Sequence, residues 1–391
     1  MSQPRKPKKE VMRLTSLKLD NWKNFSHINV DLQRRVFLVG PNASGKSNLL
    51  DAFRFLRDIA SSERGGFQGA VQRRGGVKAI RCLAARRNSE IAIRVTLGSS
   101  NESSRWRYEL QFKQDKQRQP KISMERVTFD GETLLSRPDN EDEMDPERLT
   151  QTHLEQINVN KDFRPIANFF ASIRYLHIVP QLVRDPDRYV GRENDPFGSD
   201  FLQQIAGTIL PTQQARLRRI SGALKVAVPQ LEELELWRDE RGQPHLRGKH
   251  EHWRPQGAWQ TEGQFSDGTL RLMGILWAIL DKGGPLLLEE PELSLHPGVI
   301  RYLSQMFARI QQRSKRQILV STHSSELLQD SGIGLDEVLL LRPTKEGTEV
   351  KPASNFEEIP ELLTGGLTLA DAVLPLTQPE KAEQLALFEG T

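Results

Sequence analysis

The 391-residue sequence holds one cysteine, Cys82. A single thiol cannot form an intramolecular disulfide and suits a reducing compartment. Long hydrophobic runs are also lacking. The stretch GILWAIL at 274–280 is far short of the ~20 apolar residues that span a bilayer as a helix, so no membrane partner is expected. The first ten residues, MSQPRKPKKE, are basic but lead into no apolar segment, which argues against a secretory leader and for a cytoplasmic location. No heptad pattern runs far enough for a coiled-coil arm, and there is no internal repeat.

What remains is a globular composition, 37 % hydrophobic and 27 % charged, too long for one small core. The net charge of +4 is unevenly spread. Residues 1–150 carry 29 basic and 19 acidic side chains, leaving 26 and 32 for the rest. Arg64, Arg73, Arg74, Lys78, Arg81, Arg86 and Arg87 fall in one stretch without an acid. Such a stretch either tracks a phosphate backbone or forms a solvated basic face.

Periodicity sets the organisation. Leu14, Leu17 and Leu19 mark a strand, RVFLVG at 35–40 a buried parallel strand, and Leu49, Leu50, Phe53 and Leu56 one face of a helix. Strands are expected at 90–97 and 105–112, a mobile loop in the acidic run at 137–147, helices across 150–235, and a hairpin in ELELWRDERGQPHLRGK. Residues 256–345 return to an α/β pattern, and the last forty or so read as loop-like.

GPNASGKS, Gly40 to Ser47, fits G-x-x-x-x-G-K-[ST] between a buried strand and an amphipathic helix. In that context the backbone N–H groups face phosphates, Lys46 reaches the β- and γ-phosphates, and Ser47 binds Mg²⁺. A second buried run, LLLEE, ends in Glu289 and Glu290. Glu289 is the expected acid of the Mg²⁺ shell, and Glu290 is placed to polarise an attacking water. FSDGTLRL at 265–272 is either a helix capped by Ser266 after a glycine turn, or a serine-glycine motif by which a second subunit closes over the nucleotide. STHS ends another strand at His323, a structural histidine or a γ-phosphate sensor.

These four motifs, in this order, resemble the ABC-type ATPases, in the RecF/SMC-like branch that includes the OLD-family ATPases. EEPELSLHP carries the likeness most strongly. Asp267, Thr269 and Glu289 stand where the general pattern has glycine, glutamine or glutamate, and aspartate. The resemblance implies an α/β P-loop NTPase with an ABC-type ATPase head and an inserted, mainly helical lobe. Its expected boundaries are a basic tail (1–10), head (11–130), inserted lobe (131–255), head (256–345) and C-terminal extension (346–391). Implied nucleotide contacts are Gly40, Pro41, Asn42, Ala43, Ser44, Gly45, Lys46, Ser47, Asn48, Ser266 and Gly268. Ser47 and Glu289 are the implied metal ligands, Lys46, Glu290 and His323 the implied catalytic groups, and ATP and Mg²⁺ the cofactors. Gln68 and Gln72 compete for the glutamine loop, with Gln72 preferred.

The resemblance further implies a homodimer or higher homo-oligomer sandwiching two ATP molecules. Fewer than seventy residues follow His323, with no Glu and Asp-x-Asp cluster of a Toprim nuclease. The expected role is therefore an ATPase sensor or regulator of a separate effector, such as a nuclease, in anti-phage defence. A RecF-type DNA-repair ATPase, with DNA as partner, and an ATP-held scaffold with little turnover are the alternatives. A transporter subunit fits least.

Overall fold

A computed structural model describes residues 11–85, 89–99, 104–185, 195–253, 258–281 and 283–378. The basic tail, Arg86 and Arg87, and the end of the C-terminal extension lie outside the described residues. Strands are numbered in chain order. β1 (Arg13–Trp22), β2 (Phe25–Asp31), β4 (Ile91–Gly98), β5 (Trp106–Gln114), β6 (Pro120–Phe129) and β7 (Glu132–Arg137) form an antiparallel sheet ordered β2-β1-β4-β5-β6-β7. A second sheet runs β15-β14-β3-β13-β12-β8. Its members are β3 (Arg35–Val39), β8 (Arg174–Leu176), β12 (Leu286–Glu289), β13 (Ile318–Thr322), β14 (Val338–Thr344) and β15 (Gly347–Pro352). All its pairings are parallel except β14 with β15. A small third sheet contains β9 (Leu231–Arg238), β10 (Pro244–His250) and β11 (Ala258–Thr261).

The parallel sheet is covered on both sides, which is why its strands read as unbroken apolar runs. Val36, Leu38, Leu287 and Leu319 face one core, shared with the antiparallel sheet and the helix Lys46–Ala60. Phe37, Val39, Leu286, Leu288 and Val320 face the other, shared with the helices Leu210–Ala227, Asp267–Leu280 and Leu303–Ser314. Each strand thus contributes alternate residues to two cores.

The segment 131–255 carries strands as well as helices. It supplies β7 to the antiparallel sheet, β8 to the parallel sheet and β9 and β10 to the third. Its helical part is the stretch expected from periodicity, including Arg164–Ala171 and Leu210–Ala227. The end of the described chain is not a loop either: helices form at Glu358–Thr364 and Leu369–Val373, burying Ile359, Leu369 and Val373.

The acidic run at 137–147 also differs from expectation. It folds into the helix Asn140–Met144, capped reciprocally by Asp139 and Asp142. The cause is Arg137, whose side chain is fully buried. It donates to Asp142 at 2.7 Å and to Glu125 at 3.2 Å, and both carboxylates are equally buried. Carbonyls of Arg148 and Gln151 take further donors. Acids that look solvent-seeking in sequence are held by a buried cation. Replacing Arg137 with Met should lower unfolding stability by about 3–5 kcal/mol, because two buried carboxylates lose their partner, read as a shift in the urea midpoint.

The same cluster depresses His153 to about 4, first through burial and then through the Arg137 charge. The unfolded chain therefore takes up this proton near the ordinary value of about 6.5, before the folded chain does. Stability should fall as pH drops from about 6.5 to about 4. A His153→Gln variant should show a shallower loss across that window in urea titrations at each pH.

Candidate functional site at the ends of three parallel strands

β3 ends at Val39 and the helix begins at Lys46. The loop between them turns through left-handed backbone at Ala43 (φ 62°) and Gly45 (φ 99°), the kind of path that aims successive N–H groups into a concavity. The loop has no spare room. A Cβ on Gly40 would lie 2.7 Å from the Leu341 carbonyl, and one on Gly45 would lie 2.1 Å from Asn24 Nδ2. Lys46 Nζ donates to the carbonyls of Gly40 (2.8 Å) and Pro41 (3.1 Å). Burial lowers its pKa, opposed by the charges of Glu290, Glu292 and Glu289.

Those acids arrive on β12. In the register, Glu289 lies beside Ser321, and Thr322 beside Val39. The Ser47 hydroxyl donates to Glu289 Oε1. Burial raises the Glu289 carboxyl, and the Glu290 charge adds to that against Ser47, Arg54 and Lys46. At Glu290 the chain enters left-handed backbone (φ 43°), and its N–H donates to the Ser321 carbonyl at 3.0 Å. A non-glycine residue there carries a conformational cost that the surrounding contacts must outweigh. The His323 ring Nδ1 lies 3.4 Å from Glu290 Oε1. Lys46, Ser47, Glu289, Glu290 and His323 therefore form one cluster.

The donor set suits Mg²⁺ with a nucleotide. Ser47 and Glu289 present adjacent hard oxygens, and Mg²⁺ takes one or two such protein ligands, completing its shell with phosphates and water. Among the described residues no group of three His, Cys, Asp or Glu forms a metal site on protein ligands alone. The Ser44 hydroxyl is buried in the loop without a partner, as a phosphate-facing donor would be.

Ser266 and Gly268 make their contacts elsewhere. Ser266 caps the helix Asp267–Leu280 by accepting from Thr269 N. A Cβ on Gly268 would lie 2.4 Å from the Ser294 carbonyl, in the loop that follows the acids. Asp267 pairs with Arg184 at 2.6 Å, so the residue that departs from the general signature has a partner. Pro41 is half-buried, and Asn42 and Ala43 are exposed at the rim. The Asn48 side chain donates to Asn24 Oδ1.

Three residues escaped sequence reasoning. Asn24, in the β1–β2 turn, donates to Ser44 O (2.9 Å) and to Thr348 Oγ1 (2.7 Å), pinning the loop. Glu292 is buried, accepts from Thr322 Oγ1 (2.6 Å) and His323 N (3.3 Å), and keeps Oε2 unpartnered. The His177 ring Nδ1 lies 3.3 Å from the Glu289 carbonyl oxygen. In the sequence Glu292 is the third acid of EEPE. Gln68 is committed to the carbonyls of Pro120 and Thr150, while Gln72 is exposed. The basic stretch is only partly answered: Arg74 pairs with Asp51 (2.8 Å) and Asp58 (3.1 Å), and Arg64 and Arg73 approach Asp58 at 3.7 and 3.9 Å, while Arg73, Lys78 and Arg81 are exposed.

Residues 35–329 match the family described as "AAA domain, putative AbiEii toxin, Type IV TA system". The chain belongs to that family. Among solved structures it is similar to an Smc head bound to the C-winged helix domain of ScpA, at 11 % identity and a TM-score of 0.53, covering 86 % of this chain and 96 % of that one. It is also similar to the Smc head with an extended coiled coil bound to the C-terminal domain of ScpA derived from Pyrococcus furiosus. There the identity is 11 %, the TM-score 0.52, and the coverage 90 % and 100 %. No curated protein matches it in sequence. The fold is that of an Smc head.

The pin at Asn24 gives a test of the site. Asn24→Ala removes three side-chain hydrogen bonds of about 1 kcal/mol each, to Ser44 in the loop, to Thr348 and from Asn48. It should weaken binding of a fluorescent ATP analogue roughly tenfold while leaving the global melting temperature within a few degrees.

Proposed function

We propose that the chain binds ATP with Mg²⁺, dimerises head to head around two nucleotides, and uses hydrolysis to control a separate effector protein. The observation that carries this is the single cluster of Lys46, Ser47, Glu289, Glu290 and His323. Lys46 neutralises the β- and γ-phosphates. Ser47 and Glu289 would hold Mg²⁺, which when bound supplies charge neutralisation across the phosphates. Glu290 orients a water and takes its proton as the water oxygen bonds to the γ-phosphorus. The bond to the bridging oxygen breaks, releasing ADP and inorganic phosphate. His323 steadies the Glu290 carboxylate from 3.4 Å away and faces the γ-phosphate with its remaining ring edge. Positioning and charge are most of what phosphoryl transfer requires.

The dimer reading is supported by where the signature residues make their contacts: Ser266 caps its own helix and Gly268 packs on the Ser294 loop. The family description, a putative toxin of a Type IV toxin–antitoxin system, supports a partner protein over a repair role. So does the commitment of Arg64, Arg73 and Arg74 to Asp51 and Asp58, which leaves less free charge for DNA. No helix among the described residues is long and apolar enough to cross a membrane.

Glu290→Gln should keep ATP affinity within about threefold, lower steady-state turnover by about 10²-fold or more, and accumulate a dimer by light scattering when ATP and Mg²⁺ are present. Unchanged turnover would remove Glu290 from the water's path. A variant that stays monomeric with bound ATP would remove the sandwich.

A further inference from the structure

One sizeable cavity lies away from the phosphate loop. It is a groove of about 530 Å³ on the outer face of the antiparallel sheet, within the range of small-molecule sites. Its floor is two cross-strand rows. The first runs Asp31, Ser16, Thr96, Arg107, and the second Asn29, Lys18, Arg94, Glu109. The opposite face of the same strands holds Leu17, Leu19, Ile93 and Val95 in the core, so these polar rows are fixed outward by strand alternation.

Charge is placed there at a cost. Lys18 and Arg94 lie directly opposite each other, an arrangement that destabilises a sheet unless another charge answers it. Asp20 answers Arg94. Among the described residues no carboxylate pairs with Lys18, Arg107 or Arg13. A bulge between Leu14 and Ser16 places Thr15 on the groove wall beside Arg13. Arg13 spends Nη1 on the Leu32 carbonyl and leaves Nε buried without a partner. At the centre the hydroxyls of Ser16 and Thr96 meet at 2.8 Å. Two hydroxyls ringed by four cations form an anion cradle.

Asp31 and Glu109 sit at opposite corners of this floor. They oppose a polyanion running along the groove, and they accept hydrogen bonds from hydroxyl or amino groups. We propose that this groove is a binding site for a small phosphorylated molecule of nucleotide size. Lys18 and Arg107 hold its phosphate, and Asp31 and Glu109 take its hydroxyl or amino hydrogens. Lysine acts there as a point charge and arginine as a bidentate fork.

The test is calorimetric titration of the full chain with AMP and with inorganic phosphate. AMP should bind, and phosphate should compete with it. Lys18→Glu combined with Arg107→Glu should weaken AMP at least about tenfold, the loss of two charge-assisted contacts, with the melting temperature unchanged because both side chains are exposed. Lys46→Ala should retain the AMP site. Absence of binding by both probes, equal affinity in the double variant, or loss of binding in Lys46→Ala would each overturn the assignment. So would a short DNA duplex whose binding is lost on the double substitution while AMP binding is not, which would make the groove a polynucleotide footprint.

Discussion

The hydrogen bond from Ser47 to Glu289 joins groups carried by strands that do not touch. β3 delivers the phosphate loop and β12 delivers the acid, with β13 between them. Strands lie about 4.8 Å apart, so the loop must arch across roughly two spacings to reach the carboxylate. It arches over the end of β13, where Thr322 and His323 stand. Parallel register on both sides of β13 is therefore the constraint that brings loop, acids and histidine together. A one-residue slip would reverse which side chains of β12 face each core and would separate them.

That convergence creates an electrostatic problem which the site solves internally. Burial pushes Glu289 and Glu292 upward and Lys46 downward. Each shift is moderated by the opposite charge next to it. Glu292 finds donors at Thr322 and at the backbone of His323, so a carboxylate with no assigned contact to nucleotide fixes the segment that carries the histidine. Arg54 and Arg271 join Lys46 in facing the three acids, and a dication would add to that positive charge.

Local signals were readable in the sequence. The loop motif, the leucine strand ending in two acids and the helix after Gly45 each depend on neighbours within a few residues, and all three form as expected. What escaped depends on contacts across the chain. Asn24 pairs with Thr348, 324 residues away. β8 is three residues long, too short to show periodicity, yet it completes the parallel sheet. The acidic run at 137–147 advertises charge without naming Arg137 as its partner, and the arginines at 64–74 advertise charge without naming Asp51 and Asp58. Composition shows where charges are, and only the fold shows which are already answered.

The pin at Asn24 has a further meaning. The family match covers 35–329, while Asn24 lies before it and Thr348 after it. The shape of the phosphate loop thus depends on residues from both flanks, stitched to each other as well as to the loop. The cooperative unit is wider than the recognisable domain. The Asn24 amide thus gives the first hairpin a direct hold on the loop, beside the one that the β14–β15 hairpin has through the pairing of β14 with β3.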